Sequence, residues 1–195
     1  MKTISKFVLD NPKILFLVFI CLIYCLIIVT VWVLGLYSFC ILYAEGTLSY
    51  GGFTVSAIFW GFLLVFFNFY FYYTSVFLTS YGLAVWFYQK EDADVIGTPI
   101  KHMARYHLGT ITFASLLITF LNIVKFMLFF ARLKGSEGIT GLLGAICFYA
   151  ACCCTGGLEA LIQVLNSYSI AICALTGKSF IDSAEITAHI AFSDS

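Results

Sequence analysis

The sequence predicts an all-α membrane protein, a polytopic helical bundle with about four membrane-embedded segments. The first observation behind this prediction is composition: of 195 residues, 62% are hydrophobic and only 10% are charged, and the mean hydropathy is +1.02. A soluble domain is nearer a quarter charged, because its surface faces water. Ten basic residues balance ten acidic ones, so no cationic surface for nucleic acid is expected. The composition therefore excludes a soluble enzyme, a disordered regulator and a nucleic-acid binder, and makes membrane lipid the expected solvent.

The second observation is the length of the stretches that lack charged residues and histidine. A helix needs about 20 apolar residues to cross a hydrocarbon core about 30 Å thick, and lipid offers no hydrogen-bond partners to an open backbone. The sequence shows no segments with the alternating polarity of barrel strands about ten residues long, so helices are the expected form. The uninterrupted stretches are 14–44, 46–89, 108–124, 138–158 and 160–177.

These stretches predict one membrane domain, residues 1–195, with four helical segments. The second stretch would form a helix about 66 Å long, twice the core thickness, so this helix must tilt, kink or begin in the interface after Gly51 and Gly52. The fourth segment is interrupted by Gly156, Gly157 and Glu159. It forms either one long helix or a short interfacial helix followed by a spanning one. The predicted segments are 13–41, 55–88, 104–131 and 141–177.

The charges around the first segment predict its orientation. Lys2, Lys6 and Lys13 precede it, which places the N-terminus in the cytoplasm by the positive-inside rule. Its apolar run is far longer than that of a signal peptide, so we expect a retained anchor. Arg132 and Lys134 oppose this orientation, because they fall on the side expected to be outside.

Polar and small residues recur at helical spacing on three of the segments. Intervals of three and four residues place each set on one face of its helix. Two interpretations stay open. Such faces let helices pack closely and hydrogen-bond to each other, or they converge on a shared polar interior that lines a substrate path, with the first segment outside against lipid. The three sets are Asn68, Tyr72, Ser75, Thr79, Gly82 and Trp86; Arg105, Gly109, Thr112, Ser115, Thr119, Asn122 and Lys125; and Glu159, Gln163, Asn166, Ser169, Cys173 and Thr176.

The second segment is dense in aromatic residues, and two of them, Tyr72 and Trp86, lie on its polar face. Aromatic faces bind quaternary ammonium groups through cation–π attraction, so these two residues are the candidate contacts for a small organic cation. Core packing is the alternative for both, and an interfacial aromatic belt is a further one for Trp86. The residues expected to line the path with them are Asn68, Thr79, Thr112, Ser115 and Thr119.

Three ionisable residues lie close to or within the apolar segments. Lys125 is expected to extend its long side chain toward the membrane surface. Glu159 either marks an interfacial boundary or lies inside the membrane and is functional. For His107 we expect a structural role at the start of the third helix, with a group that titrates near neutrality as the alternative.

The eight cysteines do not form a recognisable ligand set. Cys152, Cys153 and Cys154 are candidates for acylation at a membrane surface, with plain packing as the alternative. They have no paired CxxC and no nearby histidine, so we expect no metal site. No nucleophile cluster, phosphate-binding loop or carboxylate pair is visible, so neither an enzyme nor a bound cofactor is expected.

Short motifs follow one another in a fixed order along most of the sequence. The most specific runs from Arg105 to Thr110 and reads Arg-Tyr-His-Leu-Gly-Thr. The motif residues are Gly82, Arg105, Tyr106, His107, Gly109, Thr110, Glu159, Asn166, Gly177, Phe180, Ser183 and Ala184. On these motifs, the chain from about residue 53 to residue 192 resembles the C-terminal half of the choline transporter-like family.

The resemblance implies a multi-pass transmembrane protein of the solute carrier kind, with choline or ethanolamine as its organic cation, in the plasma membrane or an organellar membrane. Members of that family have more spanning helices than the four predicted here, so the chain resembles a truncated member. The alternative is a non-transporting membrane interaction subunit, either a homo-oligomer or a chain that packs against another helical partner.

Overall fold

A computed structural model describes residues 9, 12–89, 94–134 and 139–193; for 13–18, 21, 89, 128–134, 139–155 and 192 it describes the backbone alone. This part of the chain is almost entirely helical and contains no strand, which confirms the all-α fold class. The helices are α1 (Lys13–Ala44), α2 (Tyr50–Gln89), α3 (Gly97–His102), a π-helical segment (Met103–His107), α4 (Leu108–Lys134), α5 (Ile139–Thr176) and α6 (Phe180–Ser193).

Four stretches of these helices are long and apolar enough to cross a membrane, as the charge-free runs predict. They are Leu22–Ala44, Tyr50–Tyr88, Gly97–Met127 and Gly156–Thr176. Helices α1 and α2 extend further than their predicted segments, whereas α4 begins four residues later than predicted and α5 ends one residue earlier. The predicted membrane bundle with about four embedded segments is therefore present.

The centre of the bundle is the contact among α2, α4 and α5, which we call the central contact. Lipid is as apolar as leucine, so helices associate in a membrane through close packing and hydrogen bonds rather than through apolar burial. The tightly packed side chains come from all three helices, and small residues alternate with large ones. The buried apolar cluster comprises Tyr73, Phe77, Ile111, Ala114, Ile118, Ile170 and Ala174.

Helix α1 lies at the periphery and packs mainly against α2, which we call the peripheral contact. None of its described side chains is buried. The indole nitrogen of Trp60 donates a hydrogen bond to the carbonyl oxygen of Trp32 at 3.0 Å, and Trp60 also meets the ring of Phe39 edge-on at 6.0 Å. Gly35 leaves the room that the Trp60 ring occupies. Aromatic rings, rather than small residues, therefore hold α1 in place.

Helix α2 begins at Tyr50, five residues earlier than predicted, and runs through Gly51 and Gly52 without a break in its helical assignment. Its C-terminal half contacts the connection to α3 closely. A β-carbon at Gly82 would lie 2.9 Å from the carbonyl oxygen of Val95, so glycine is required for this approach. Asp94 Oδ1 accepts a hydrogen bond from the backbone N–H of Gly97 at 2.8 Å and fixes the start of α3.

Helix α5 is a single helix of 38 residues, which decides between the two forms left open for the fourth segment. It ends at Gly177, whose φ of +71° lies in the left-handed region that glycine adopts without strain. The chain then reverses, and α6 runs back along α5, where the hydroxyl oxygens of Ser169 and Thr187 lie 3.2 Å apart. The charge pattern does not predict α6, because this helix is short and depends on that contact with α5.

Candidate functional site

The polar residues of the central contact meet at Asn166, which is only 4% exposed. Its Nδ2 donates to the hydroxyl of Tyr73 at 3.5 Å and to the carbonyl oxygen of Ala114 at 3.4 Å. Tyr73 belongs to α2, Ala114 to α4 and Asn166 to α5. One side chain therefore bridges all three central helices at one level of the bundle.

Hydroxyl groups line the interior on both sides of Asn166. Ser115 and Thr119 on α4 are fully buried, as is Ser169 on α5 to within one per cent. Each donates to a carbonyl of its own helix one turn earlier, at 2.7 Å. These bonds satisfy the hydroxyl protons within the same helix. Parts of the polar faces predicted for the third and fourth segments, at Ser115, Thr119, Asn166 and Ser169, are therefore turned into the bundle.

The polar face predicted for α2 divides instead between different surroundings. Tyr72 is 45% exposed, and its hydroxyl lies 3.5 Å from Ser167 Oγ. Asn68 donates to its own helix at Leu64 and accepts from the Cys25 thiol of α1 at 4.0 Å, so it faces the peripheral contact.

The other path residues predicted on α2 and α4 lie away from Asn166. Thr79 is exposed, and its hydroxyl bonds to the Ser75 carbonyl at 2.8 Å. Trp86 is half-buried near the C-terminal end of α2. Thr112 is half-buried and bonds within α4 to Leu108 at 2.8 Å. The structure therefore groups Ser115 and Thr119 with Asn166, and it does not group Tyr72, Trp86, Asn68, Thr79 or Thr112 with them.

A second polar region lies where α4 begins and α5 ends. His107, the last residue of the π-helical segment, is 5% exposed, and its Nδ1 lies 3.2 Å from the thiol of Cys173. The Phe77 ring packs on the imidazole at a centroid distance of 5.0 Å. This agrees with a structural position for His107, but no sequence signal pairs it with a cysteine 66 residues away.

The motif residues around His107 line an open cleft of about 490 Å³. Tyr106 is exposed in this cleft. The Arg105 guanidinium carbon lies over its ring, 5.5 Å from the ring centroid. Gly109 faces open space. The cleft lining comprises His102, Tyr106, His107, Thr110, Gly177, Lys178, Ser179 and Phe180.

Residues of α6 close this region from the other side. Phe180 packs against Phe113 of α4 at 5.6 Å. Ser183 is fully buried with Ala184 half-buried beside it, and the Ser183 hydroxyl has no hydrogen-bond partner among the described residues. The motif residues from Gly177 to Ala184 therefore form the turn before α6 and the contact of α6 with the rest of the bundle.

The third polar feature is an ion pair between Lys125 of α4 and Glu159 of α5. The sequence predicts separate positions for the two residues: Lys125 as a side chain extended toward the membrane surface, and Glu159 as a residue at an interfacial boundary or inside the membrane. In the structure the two form an ion pair with each other. One feature of the sequence could have predicted the pair, because each residue is an isolated charge in an apolar helix. Such charges inside membranes usually pair.

Two further predictions concern metals and acylation. Among the residues that the structure describes, no group of three or more histidine, cysteine or acidic side chains is placed to hold a metal ion. The side chains of Cys152, Cys153 and Cys154 lie outside those described, so their acylation stays a prediction.

Comparison with known proteins adds the family. The sequence signature described as plasma-membrane choline transporter matches residues 1–194. Choline transporter-like 2 of Anopheles gambiae is 28% identical over 118 residues, which cover 57% of this chain and 14% of that protein. Choline transporter-like protein 1 of Torpedo marmorata is 32% identical over 116 residues, covering 55% of this chain and 17% of that one.

A fungal relative shows the same pattern of coverage. Protein PNS1 of Cryptococcus neoformans is 35% identical over 81 residues, which cover 41% of this chain and 14% of that protein. The matched region thus spans less than a fifth of each of these relatives. The family signature, in contrast, covers nearly the whole chain. The chain is an integral membrane protein that belongs to the plasma-membrane choline transporter family.

Proposed function

We propose that this chain takes part in the passage of choline, or of a related organic cation such as ethanolamine, across a membrane. The observation that carries the proposal is the buried polar interior between α4 and α5, at Ser115, Thr119 and Asn166, in a chain of this family. A translocation path needs polar groups that are hidden from the acyl chains. The passage involves no chemical step, so no catalytic residue is required.

Aromatic residues supply the cation contacts in this proposal. Choline carries a quaternary ammonium group, which has no hydrogen to donate and is best held by aromatic faces. Tyr72 is 45% exposed, and its ring packs edge-on against Tyr73 with centroids 5.2 Å apart, so part of the Tyr72 ring stays accessible to a cation. Trp86 is the second proposed contact. It lies on the same predicted face of α2 as Tyr72, nearer the C-terminal end of the helix.

The proposed arrangement in the membrane is multi-pass, with the N-terminus in the cytoplasm. In this orientation the cleft at His107 faces the cytoplasm, and the Lys125–Glu159 pair lies toward the opposite side. The membrane itself is the plasma membrane or an organellar membrane.

Uptake of radiolabelled choline into vesicles that contain this chain alone tests the proposal. We expect saturable uptake, and we expect Tyr72→Leu and Trp86→Leu to raise the KM for choline by about 2- to 30-fold, the range of one cation–π contact. Tyr88→Leu is the matched control, because Tyr88 is 81% exposed and lies outside the proposed path. Absence of saturable uptake by the native chain would contradict the proposal.

A non-transporting interaction subunit is the second candidate. The observation that favours it is the closed interior: Tyr73, Ile111, Ile118 and Ile170 are fully buried and fill the space among the central helices. In that case the chain binds a second copy or another helical protein. Cross-linking in native membranes followed by mass measurement then shows a defined complex, and the vesicles show no uptake.

A further inference from the structure

The ion pair of Lys125 and Glu159 joins α4 and α5 far from the loops at the His107 end of the bundle. On α4, the nearest charged or histidine residue toward the α3 end is His107, 18 residues away, which is about 27 Å along a helix. On α5, Lys178 follows Glu159 by 19 residues, about 28 Å. Neither side chain reaches the membrane surface at that end.

The depth of the pair toward the other end follows from the bundle itself. Asn166 places Ala114 level with Tyr73, and Lys125 lies eleven residues beyond Ala114. The same distance along the antiparallel helix α2 reaches Phe62, and α2 continues from there to Tyr50 without a charge. That remainder is about 18 Å long. The pair therefore lies in the half of the bundle opposite the His107 cleft, where Arg132 follows Lys125 by seven residues on the same helix.

The pair also keeps part of its surface accessible. The Lys125 side chain is 34% exposed and the Glu159 side chain 16%. Charged groups inside a membrane face water, protein or ligand rather than acyl chains, because exposure to lipid is unfavourable. Beside Glu159, one turn earlier on α5, Gly156 leaves open space where a side chain would stand. An ion pair that served only to join two helices would not need this room.

We propose that Glu159 is a cation-binding residue, whose site Lys125 occupies in this structure and an organic ammonium ion occupies in its place. The Lys125 ammonium is itself an alkylammonium group, so it and the ligand compete for one carboxylate. The choice of choline as that ligand rests on the proposed function above. The exchange is non-covalent.

The exchange also explains why the competing group is a lysine. Its flexible four-carbon stem lets the ammonium swing away from Glu159 when the ligand arrives. On the same face, one turn earlier, Asn122 bonds to the Ile118 carbonyl at 3.0 Å through its Nδ2, and its amide oxygen is available as an acceptor. The carboxylate on α5 has a short stem and stays in place.

Equilibrium binding of radiolabelled choline and methylammonium to the full chain in lipid nanodiscs tests this proposal. The variant Lys125→Met removes the competing ammonium group. It should raise the affinity for both cations about tenfold or more, because the ligand no longer has to displace a charge contact of a few ångströms. Glu159→Gln should lower it by a similar factor. The double variant K125M/E159Q should bind as weakly as E159Q, while leaving no unpaired charge to disturb folding.

Matched controls are Lys101→Met and Glu185→Gln, which change the same residue types at exposed positions outside the pair and should leave affinity within twofold. Thermal unfolding identifies any variant that fails to fold. In that case Glu159→Asp, which keeps the charge, should retain binding where K125M/E159Q loses it.

The outcomes separate this proposal from the proposed function. If the native chain binds choline and K125M/E159Q binds it equally well, the cation site at Glu159 is overturned and the proposed function stands. If the native chain does not bind choline, while K125M binds methylammonium through Glu159, the site is supported and choline is excluded as its ligand. Binding of neither cation by any variant contradicts both.

Discussion

The central contact and the peripheral contact hold helices together by different means. In the central contact, small and hydroxylic side chains such as Ser115 and Thr119 are buried, and Asn166 bridges three helices. In the peripheral contact, rings such as Trp60 and Phe39 meet, and no described side chain of α1 is buried. Close packing of small residues fixes the helices relative to one another, whereas ring packing leaves more freedom. The difference indicates that the central contact carries most of the stability.

The largest expected effect comes from a cavity in the central contact. Phe77 is fully buried, so Phe77→Ala should lower the free energy of unfolding by about 3 kcal/mol. Phe39→Ala removes the same ring from the peripheral contact and should cost about 1 kcal/mol, the value of one aromatic pair. Unfolding by sodium dodecyl sulfate in mixed micelles, followed by circular dichroism, measures both. Equal losses would show that the two contacts do not differ.

A smaller effect is expected from the asparagine pair. Asn166→Leu removes the bridge to Tyr73 and Ala114 and should cost about 1–2 kcal/mol, the range of hydrogen bonds between membrane helices. Asn68→Leu is the matched substitution at the peripheral contact, where Asn68 bonds chiefly to its own helix, and should stay within about 0.5 kcal/mol. The same micelle titration compares them. A larger loss for Asn68 would reverse the order of the two contacts.

The smallest expected effect is a difference in stability between substitutions of two tryptophans in the peripheral contact. Trp60→Phe keeps an aromatic ring but removes the indole nitrogen with its hydrogen bond to the Trp32 carbonyl and part of the volume beside Gly35, so a loss of at least about 0.6 kcal/mol is expected. Trp32→Phe removes an indole nitrogen that is buried without a hydrogen-bond partner among the described residues, so its expected effect is neutral or slightly stabilising. Destabilisation by Trp32→Phe beyond that of Trp60→Phe would contradict the proposed origin of the effect.

The fold class could be predicted from the sequence because charges are excluded from lipid wherever they have no partner. The runs that lack charge therefore mark the helices. The continuity of α5 could not be predicted, because the residue that compensates Glu159, Lys125, lies on another helix. Helix α6 could not be predicted either, because it depends on Ser183 and Thr187 facing α5.

The candidate site was predictable on α4 and α5 but less so on α2. On α4 and α5 the polar residues are few, so their spacing also gives the face that turns inward, as Ser115 and Asn166 show. Helix α2 carries aromatic rings on all sides, and tyrosine is at once polar and large. The inward face of α2 is consequently given by Tyr73 and Phe77, one residue out of register with Tyr72, and the sequence does not distinguish the two.

The buried hydroxyls of Ser115, Thr119 and Ser169 each donate their hydrogen bond to the carbonyl oxygen one turn earlier in the same helix. No covalent or hydrogen-bonded link between α4 and α5 therefore depends on these three residues. A sliding movement of about 1–2 Å between packed helices would therefore break no hydrogen bond of these three hydroxyls. The fixed points of such a movement are the amide of Asn166 and the ion pair, so a ligand that loosens the ion pair leaves the Asn166 amide as the remaining fixed point.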